Sequence, residues 1–423
     1  MMIISSFSSE MYARTLYVDS HNKSNIFNGS KKFPYKSIQQ AFDDVKEGDR
    51  VLIRTGIYFE NLFLEKSGTR NKPILITAEK NVVIDGSKLN ANKSISLLYI
   101  KDQSHIILEN LCFKNLTATT SKATVSGIYI EGKGENIQVE KAIVENIHAY
   151  NKENEVGNAH AVAFMGTDAL KKISVTNSKI STCSLGGSEA LVLNGNIEDF
   201  VVSNNVIAHI DNIGIDFIGH EGICQNKNFD FVRSGKCFLN KITRVSTEGN
   251  YAYEKGDFSA AGIYIDGGAN IIIESNEISE CNIGIEVASE HYGENAKDIH
   301  LIRNKISQSD QGLIMLGGYS KKMGGVKNIT IEENLLLNGD KLSWSVGMIS
   351  FQYHVQKVKI QKNSFEVNLK DYSSLMVSIR DPDYISDLKF KENQYLSENV
   401  YWLINKNKLN LEKWKKKGYD LID

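Results

Sequence analysis

Acidic residues recur at the free positions of a six-residue phrase in the middle of the chain. The phrase begins with Gly or Ala and usually ends in Gly, as in GIDFIG from position 214 and GIYIDG from position 262; GIEVAS, from position 284, is a degenerate copy. Asp216, Asp266 and Glu286 stand in these three successive copies. Carboxylates that meet on neighbouring segments can transfer protons or bind a hard cation. They are therefore the first candidates for an active site.

Histidines and further polar residues follow these acids in predicted loops. His220 and Glu221 come after the first copy in GHEG, and Glu290, His291 and Tyr292 come after the third in SEHYG. Because histidine titrates near neutral pH, either histidine could act as general base or general acid. Two long segments, at about 220–236 and 244–260, are predicted loop insertions that wall a groove. The remaining candidates, in or beside these segments, are Lys255 for proton transfer and Arg233, Tyr253 and Tyr264 for substrate binding.

The wider sequence repeats a second phrase, Asn-x-Ile or a close variant. Its later copies lie about 30 residues apart, which is a period typical of solenoids and propellers. Both phrases alternate apolar and free positions, and no helical stretch separates the copies. These features predict a single-stranded right-handed parallel β-helix rather than a propeller, whose blades need antiparallel hairpins. The asparagines predicted to form a ladder along the solenoid are Asn205, Asn240, Asn276, Asn304, Asn334, Asn363 and Asn393.

Strand periodicity assigns each side chain of the phrase to one side of the sheet. The first and third residues after the leading Gly or Ala are nearly always apolar and are predicted to point inward, so the second and fourth point outward. This places Asp216, Asp266 and Glu286 outside, with Asp266 roughly 8 Å from the other two, given coils roughly 4.8 Å apart. In GLIMLG, from position 312, the same rule predicts that Leu313 and Met315 point inward.

The ends and composition complete the expected organisation. A single β-helix domain is predicted over 14–423, with amphipathic caps at about 33–50 and 408–420 and a monomeric state. Residues 1–13 resemble the end of a secretory signal, which predicts a secreted or periplasmic protein. Cys224 and Cys237 could form a disulfide in an exported chain.

Charge and hydropathy argue against duplex nucleic acid as a partner and against a membrane span. The 49 Lys and Arg residues nearly balance the 51 Asp and Glu residues, and this disfavours binding to duplex nucleic acid. No apolar run is long enough for a membrane span.

The first 90 residues or so carry a family resemblance. LYVDSHNKSN, then PYKSIQQAFDDVKEGDRVLIRTGIYFENLFLEKSGTRNKPILITAE and VVIDGS, resemble the opening of secreted right-handed β-helix polysaccharide lyases of the pectate, alginate and chondroitin type, and more narrowly of biofilm-matrix exopolysaccharide lyases. The resemblance implies a β-helix that acts on a polysaccharide. It specifies fold better than chemistry, and no residue here matches a catalytic motif of these families.

Three functions remain open. A lyase acting on a uronic-type sugar needs the substrate carboxylate neutralised, by Ca²⁺ held on Asp216, Asp266 and Glu286 or by Arg233, and needs a base such as a histidine, Lys255 or a tyrosine. An inverting hydrolase needs two carboxyls roughly 6.5–9.5 Å apart, which the same acids can supply. A non-catalytic adhesin would need neither arrangement. The resemblance favours the lyase. If the acids are not the site, the face carrying Glu131 and His160 is the next candidate.

Overall fold

The computed structural model describes residues 12–420 and shows a parallel β-helix. Each coil contributes one strand to each of three parallel sheets, which we call sheets I, II and III in the order in which a coil passes through them. Sheets I and II are joined because two long strands, β16 and β18, run through both; β16 is Asn158–Thr176 and β18 is Leu191–Ser203.

The strands of sheet I, which later proves to carry the acids, are β4 (Leu62–Leu64), β7 (Ile95–Lys101), β10 (Thr124–Glu131), the first parts of β16 and β18, β20 (Ile215–Ile218), β23 (Ala261–Asp266), β26 (Ile283–Ala288), β29 (Ile314–Leu316), β32 (Ile349–Phe351), β35 (Leu375–Ile379), β38 (Tyr401–Ile404) and the antiparallel β39 (Asn407–Leu409).

The strands of sheet II are β1 (Thr15–Val18), β2 (Arg50–Ile53), β5 (Ile74–Ala78), β8 (Ile106–Glu109), β11 (Gly134–Glu135), β12 (Ile137–Glu140), the second parts of β16 and β18, β21 (Arg233–Phe238), β24 (Ala269–Glu274), β27 (Asn295–Ile302), β30 (Gly325–Glu332), β33 (Val355–Gln361) and β36 (Ile385–Lys391).

The strands of sheet III are β3 (Gly56–Tyr58), β6 (Val82–Asp85), β9 (Cys112–Thr117), β13 (Ile143–His148), β17 (Lys179–Cys183), β19 (Val206–Ile210), β22 (Lys241–Val245), β25 (Glu277–Cys281), β28 (Lys305–Ser307), β31 (Leu335–Leu337), β34 (Ser364–Glu366) and β37 (Gln394–Tyr395). A separate hairpin joins β14 (Asn151–Lys152) to β15 (Glu155–Val156).

Apolar side chains from the three sheets fill the interior as one continuous core that extends from Leu16 to Trp414. The inward residues of the repeated phrase form layers within it, because stacking identical coils places like residues above one another. Ile215, Ile263 and Ile285, for example, pair in register and are fully buried. Burial of this apolar column is the main force that holds neighbouring coils together.

The asparagine ladder is confirmed. The side-chain Nδ2 of each asparagine donates to the Oδ1 of the next, at 2.8–3.0 Å, from Asn205 through Asn393, and the last one donates to Asp420. Each Oδ1 also accepts the backbone N–H of the preceding asparagine, as at Asn276 and Asn304. Buried polar groups at this corner are thereby paired, which is what allows a tight turn to lie inside the solenoid.

Short helices close both ends, as the sequence predicts. Helix α1 (Ile38–Asp44) is capped by Ser37, whose side chain forms a capping box with Gln40. The helix buries Ile38, Ala41 and Phe42. At the other end, α2 (Leu411–Lys416) buries Trp414, which stacks on Trp402 of β38 with ring centroids 5.7 Å apart. A 3₁₀ helix, Pro382–Tyr384, lies between β35 and β36.

The predicted orientation is wrong in one copy of the phrase. In GLIMLG, Ile314 and Leu316 pair with the inward Ile285 and Val287, and Met315 pairs with the outward Glu286. The strand therefore begins one residue later than the phrase suggests, and a shift of one residue exchanges the two faces. Leu313 is still buried in the core, at the bend before the strand.

Two further predictions concern the cysteines and the chain start. The five cysteines are free, and Cys224 and Cys237 do not form a disulfide. Cys237 points into the core from β21, whereas Cys224 lies outside that core in the loop after β20. The predicted signal remnant, residues 1–13, falls almost wholly outside the described residues. Within 12–420 no helix has the length and apolarity to span a bilayer.

Candidate functional site

The three predicted acids lie on three successive strands of sheet I. Asp216 on β20 pairs with Tyr264 on β23, and Tyr264 pairs with Glu286 on β26. Asp266 is two residues beyond Tyr264 on the same strand, so it lies diagonally between the other two acids. Each acid alternates with inward isoleucine, phenylalanine or valine, and this alternation holds the carboxyl groups on the outer side of the sheet.

Asp216 and Asp266 are nearly inaccessible to solvent, with exposures of 2% and 3%. They differ in their hydrogen bonds. Asp266 Oδ1 accepts the backbone N–H of Glu290 at 2.7 Å, whereas Asp216 Oδ1 is buried without a partner. A donor stabilises an ionised carboxylate and a buried oxygen without a donor favours protonation. This hydrogen bond stabilises the ionised form of Asp266 relative to that of Asp216.

Three more glutamates surround these residues, and one of them was not predicted. Glu221 accepts from Asn194 Nδ2 at 2.6 Å, and Glu290 follows β26. Glu189 was missed, because it precedes the phrase ALVLNG and lies at the bend before β18 rather than at an alternating strand position. Its Oε2 is 3.5 Å from His160 Nδ1, which connects the acids to the upstream face that the sequence marks as the second candidate. We call Asp216, Asp266, Glu286, Glu189, Glu221 and Glu290 the acid cluster.

Burial and mutual repulsion shift the titration of this cluster. Burial, followed by the charge of Glu290, raises the pKa of Glu286 to about 8. Burial, followed by the charge of Glu221, raises the pKa of Glu189 to about 8. The pKa values of Asp216 and Asp266 are also raised well above the usual range, first by burial and then by neighbouring carboxylates. Carboxyls this close cannot all ionise, so the cluster holds protons at neutral pH.

Both predicted histidines lie in the loops beside the cluster. His220 stacks on Phe231, with ring centroids 5.5 Å apart, and its Nδ1 is 3.7 Å from Glu294 Oε2. Burial lowers the pKa of His220, which favours the neutral ring. His291 is half-buried and directly follows Glu290, whose pKa is raised by burial and then by the charge of Glu221, with His291 acting in the opposite direction. His291 is therefore the histidine that acts electrostatically on the cluster.

Two loops stand at opposite edges of the acid-bearing strands. The first, residues 219–232, connects β20 to β21, and Asp230 fixes its path by accepting the N–H groups of Gly222 and Cys224 at 2.6 and 2.7 Å. The second, residues 246–260, connects β22 to β23, and Tyr253 Oη in this loop donates to Asn212 Oδ1 at 2.9 Å. The predicted insertions thus exist, although residues 233–236 belong to β21 and residues 244–245 to β22.

Several predicted site residues are not brought to the cluster. Arg233 lies at the start of β21 in sheet II and donates hydrogen bonds to Glu198 and Asn196 rather than to an acid of the cluster. Lys255 is exposed in the second loop, and Tyr292 is 76% exposed beside His354. Tyr264, which was predicted to bind substrate, does lie within the cluster, but it is only 7% exposed because Ala261, Ile283, Ala288 and Met315 pack around it.

Within 12–420, no salt bridge joins one of the six acids of the cluster to a lysine or arginine; Glu189 lies beside His160 instead. On the ladder, Tyr264 separates Asp216 from Glu286, two of the three predicted calcium ligands. In the part of the chain that the structure describes, no group of three or more His, Cys, Asp or Glu side chains is arranged to hold a metal ion. Calcium binding stays a prediction.

This fold is that of the right-handed parallel β-helix proteins. Residues 16–184 match the family described as the Pel9A-like right-handed β-helix region. The chain belongs to the same family as the uncharacterised protein YwoF of Bacillus subtilis (strain 168), with which it shares 36% identity over 408 residues, covering 96% of this chain and 83% of YwoF. The sequence-based recognition of the β-helix class is thereby confirmed.

Solved structures resemble the whole solenoid at low identity. A GH136 lacto-N-biosidase from Eubacterium ramulus has a TM-score of 0.57 at 15% identity, with coverage of 92% of this chain and 68% of that one. The mannuronan C-5 epimerase AlgE6 A-module of Azotobacter vinelandii has a TM-score of 0.59 at 12% identity, covering 87% and 93%. A family 28 exopolygalacturonase of Yersinia enterocolitica has a TM-score of 0.57 at 12% identity, covering 93% and 78%. At these identities the likeness is one of fold.

Proposed function

We propose that this protein hydrolyses glycosidic bonds in a polysaccharide, with inversion, by means of two carboxyl groups of the acid cluster. The observation that carries the proposal is that two buried aspartates lie on adjacent coils and differ in hydrogen bonding: Asp266 accepts a backbone N–H, whereas Asp216 Oδ1 has no donor. Inversion needs one protonated carboxyl for the leaving oxygen and one carboxylate that activates water, roughly 6.5–9.5 Å apart. The diagonal between these strand positions is roughly 8 Å.

The hydrogen bonds suggest which residue plays which role. Asp216, whose buried Oδ1 has no donor, would remain protonated and serve as general acid. Asp266, which accepts the Glu290 N–H, would be the carboxylate that removes a proton from water. Glu286, with a pKa of about 8, is a second proton donor near the same place. Of the two aspartates, Asp266 is the one whose ionised form gains a backbone donor.

The charge of the site favours a neutral substrate. A chain of uronic acids would bring carboxylates to a buried site in which no described salt bridge joins the acids to a lysine or arginine, so these carboxylates would be desolvated without a cationic partner. Neutral sugars avoid that cost and can donate hydroxyl hydrogen bonds to the carboxylates. A secreted or periplasmic location, as the chain start predicts, would bring the protein to such a polymer outside the cytoplasm.

A lyase acting on an acidic exopolysaccharide is the second candidate. The match of residues 16–184 to the Pel9A-like region supports it, as does His220, whose lowered pKa would leave the ring free to take a proton. The lyase would have to neutralise the substrate carboxylate with a cation, Ca²⁺ being the one predicted. β-Elimination leaves an unsaturated sugar end, whereas hydrolysis leaves an ordinary reducing end.

Substitution of the two aspartates tests the hydrolase. Asp216→Asn and Asp266→Asn keep side-chain size but remove the acid and the base, and each should lower kcat by about 10²-fold or more. Glu277→Gln is the matched control, because Glu277 lies on β25 of the same coil but on sheet III, where it pairs with Lys305. Reducing-end assays on xylan, glucan and chitin fragments give the measurement. Unchanged activity in both aspartate variants would place the chemistry elsewhere.

A further inference from the structure

An aromatic column lies on sheet I several coils before the acid cluster. Phe63, Tyr99 and Tyr129 pair in register on β4, β7 and β10. The ring centroids of Phe63 and Tyr99 are 5.9 Å apart, and those of Tyr99 and Tyr129 are 6.1 Å apart with planes only 16° from parallel. Phe63 is 43% exposed and the tyrosines are half-buried. These rings therefore form a partly exposed aromatic strip on the outer side of sheet I, and Tyr129 at its end packs against the buried cluster of Ala163, Met165, Val192 and Ile218.

The strip forms one wall of a cleft with a volume of about 530 Å³. A row of polar residues lies beside the rings on neighbouring strands of sheet I. Ser96, Ser126 and His160 pair in register there and line the same cleft. Aromatic faces combined with a few neutral hydrogen-bonding groups are typical of sites for small organic ligands. A sugar ring fits this pattern, because its C–H face packs on an aromatic ring while its hydroxyls hydrogen-bond on the other side.

The rings are held in place before any ligand binds. Tyr99 Oη donates to Glu131 Oε1 at 2.5 Å, and Lys101 Nζ lies 2.8 Å from the same oxygen. The charge of Glu131 is thus already satisfied by neighbours on the same sheet. A preorganised platform loses less conformational entropy on binding than mobile side chains do.

One end of the cleft lies next to the acid cluster. Ser188 lines the cleft and directly precedes Glu189 of the cluster, and His160 lies in the cleft with its Nδ1 3.5 Å from Glu189 Oε2. On the ladder, Tyr129 leads through Ala163 and Val192 to Asp216, which is three steps and about 14 Å at the spacing of neighbouring strands. That distance corresponds to a few sugar residues of a polymer.

We infer that this cleft binds a segment of a neutral glycan, which extends from the acid cluster along the solenoid toward its N-terminal coils. The direction along the axis and the cleavage point rest on the proposed function, whereas the binding of sugar by the cleft does not. The inference implies that the substrate is a polymer rather than a disaccharide, and that affinity rises with chain length.

Binding can be measured without cleavage in the Asp266→Asn variant. Isothermal titration with cellohexaose, xylohexaose, chitohexaose and hexagalacturonate compares three neutral oligosaccharides with one acidic oligosaccharide. We expect at least one neutral hexasaccharide to bind, and we expect Phe63→Ala to weaken that binding by about tenfold, the scale of losing one buried ring contact. Phe63→Tyr keeps a ring and should restore binding. Ile57→Ala is the matched control, because Ile57 is exposed on sheet III at the end of the preceding coil.

The possible results test sugar binding by the cleft separately from the proposed hydrolysis. Binding of only the hexagalacturonate, binding of none of the four at millimolar concentration, or neutral binding that Phe63→Ala leaves unchanged would overturn the inference. Cleavage of a polymer by wild-type protein together with any of these results would leave the hydrolase proposal standing. Ring-dependent binding of a neutral hexasaccharide without cleavage by wild-type protein would support the cleft and count against the hydrolase.

Discussion

Single residues in the acid cluster are maintained at a cost to stability. The pKa of Glu286 is about 8, compared with the ordinary value of 4.5. Between these two pH values the folded protein holds a proton that the unfolded chain has released, so the free energy of unfolding falls as pH rises through this window. Active-site residues commonly show such a conflict, because the site is arranged for chemistry rather than for stability.

Replacing Glu286 by Gln removes this titration. We expect Glu286→Gln to raise the free energy of unfolding at pH 8 by roughly 1–3 kcal/mol and to flatten its dependence on pH between about 4.5 and 8. Denaturant unfolding at several pH values gives the measurement. Glu277→Gln should leave the pH dependence unchanged in that window, since the pKa of Glu277 is lowered by Lys305. A Glu286→Gln variant that is less stable than wild type at pH 8 would contradict the assignment.

Substitution of His220 and His291 distinguishes a hydrolase from a lyase. If the carboxyls carry out hydrolysis, His220→Ala and His291→Ala should each keep kcat within about tenfold of wild type, because neither ring is the acid or base. If the protein is a lyase, at least one variant should lose about 10²-fold or more, the scale of removing a general base. Initial rates on the best polymer, with circular dichroism as a check on folding, measure this.

At the scale of elements, the asparagine ladder is a structural device and should govern stability rather than activity. Asn304 Oδ1 accepts from the Nδ2 and the backbone N–H of Asn276, and its own Nδ2 donates to Asn334 and to the Ile273 carbonyl. Asn304→Ala would leave these buried groups unpaired.

We therefore expect Asn304→Ala to lower the free energy of unfolding by about 2–4 kcal/mol, since each unpaired buried polar group costs about 1–3 kcal/mol. Asn407→Ala, at an exposed position of β39, should change it by less than about 0.5 kcal/mol. Chemical denaturation measures both variants, and kcat measured well below the unfolding temperature should stay near wild type. Equal stability of Asn304→Ala and wild type would mean that the ladder contributes little.

Much of the element pattern could be predicted because strand periodicity is strict. Alternation placed Asp216, Asp266 and Glu286 on the outer side of sheet I, and the repeat placed them on successive strands. Glu189 could not be found in this way, since it occupies a bend where no period applies. The burial of Tyr264 was also outside the reach of periodicity, because Ile283 and Met315 reach it only after the coils stack.

At the scale of the whole molecule, stacking of coils should make the solenoid resist proteolysis except in its long loops. The core is continuous from the first coil to the last, so no internal boundary offers a cleavage site that separates two folded halves. We expect limited proteolysis to cut within residues 219–232 and 246–260 and to leave the fragments associated. Mass spectrometry of the fragments, before and after denaturation, tests this. Release of two independently folded halves would contradict a single solenoid.

Hydrolysis of glycosidic bonds by carboxyl groups on adjacent coils of sheet I can be tested directly. The most direct measurement is analysis of the products formed from neutral and uronic-acid polysaccharides by the wild-type protein, with Asp266→Asn in parallel. We predict new reducing ends on a neutral polymer, formed with inverted anomeric configuration by nuclear magnetic resonance, without ultraviolet-absorbing unsaturated ends, and lost in Asp266→Asn. Unsaturated ends formed from a uronic-acid polymer, at a rate that Asp266→Asn leaves unchanged, would contradict the account.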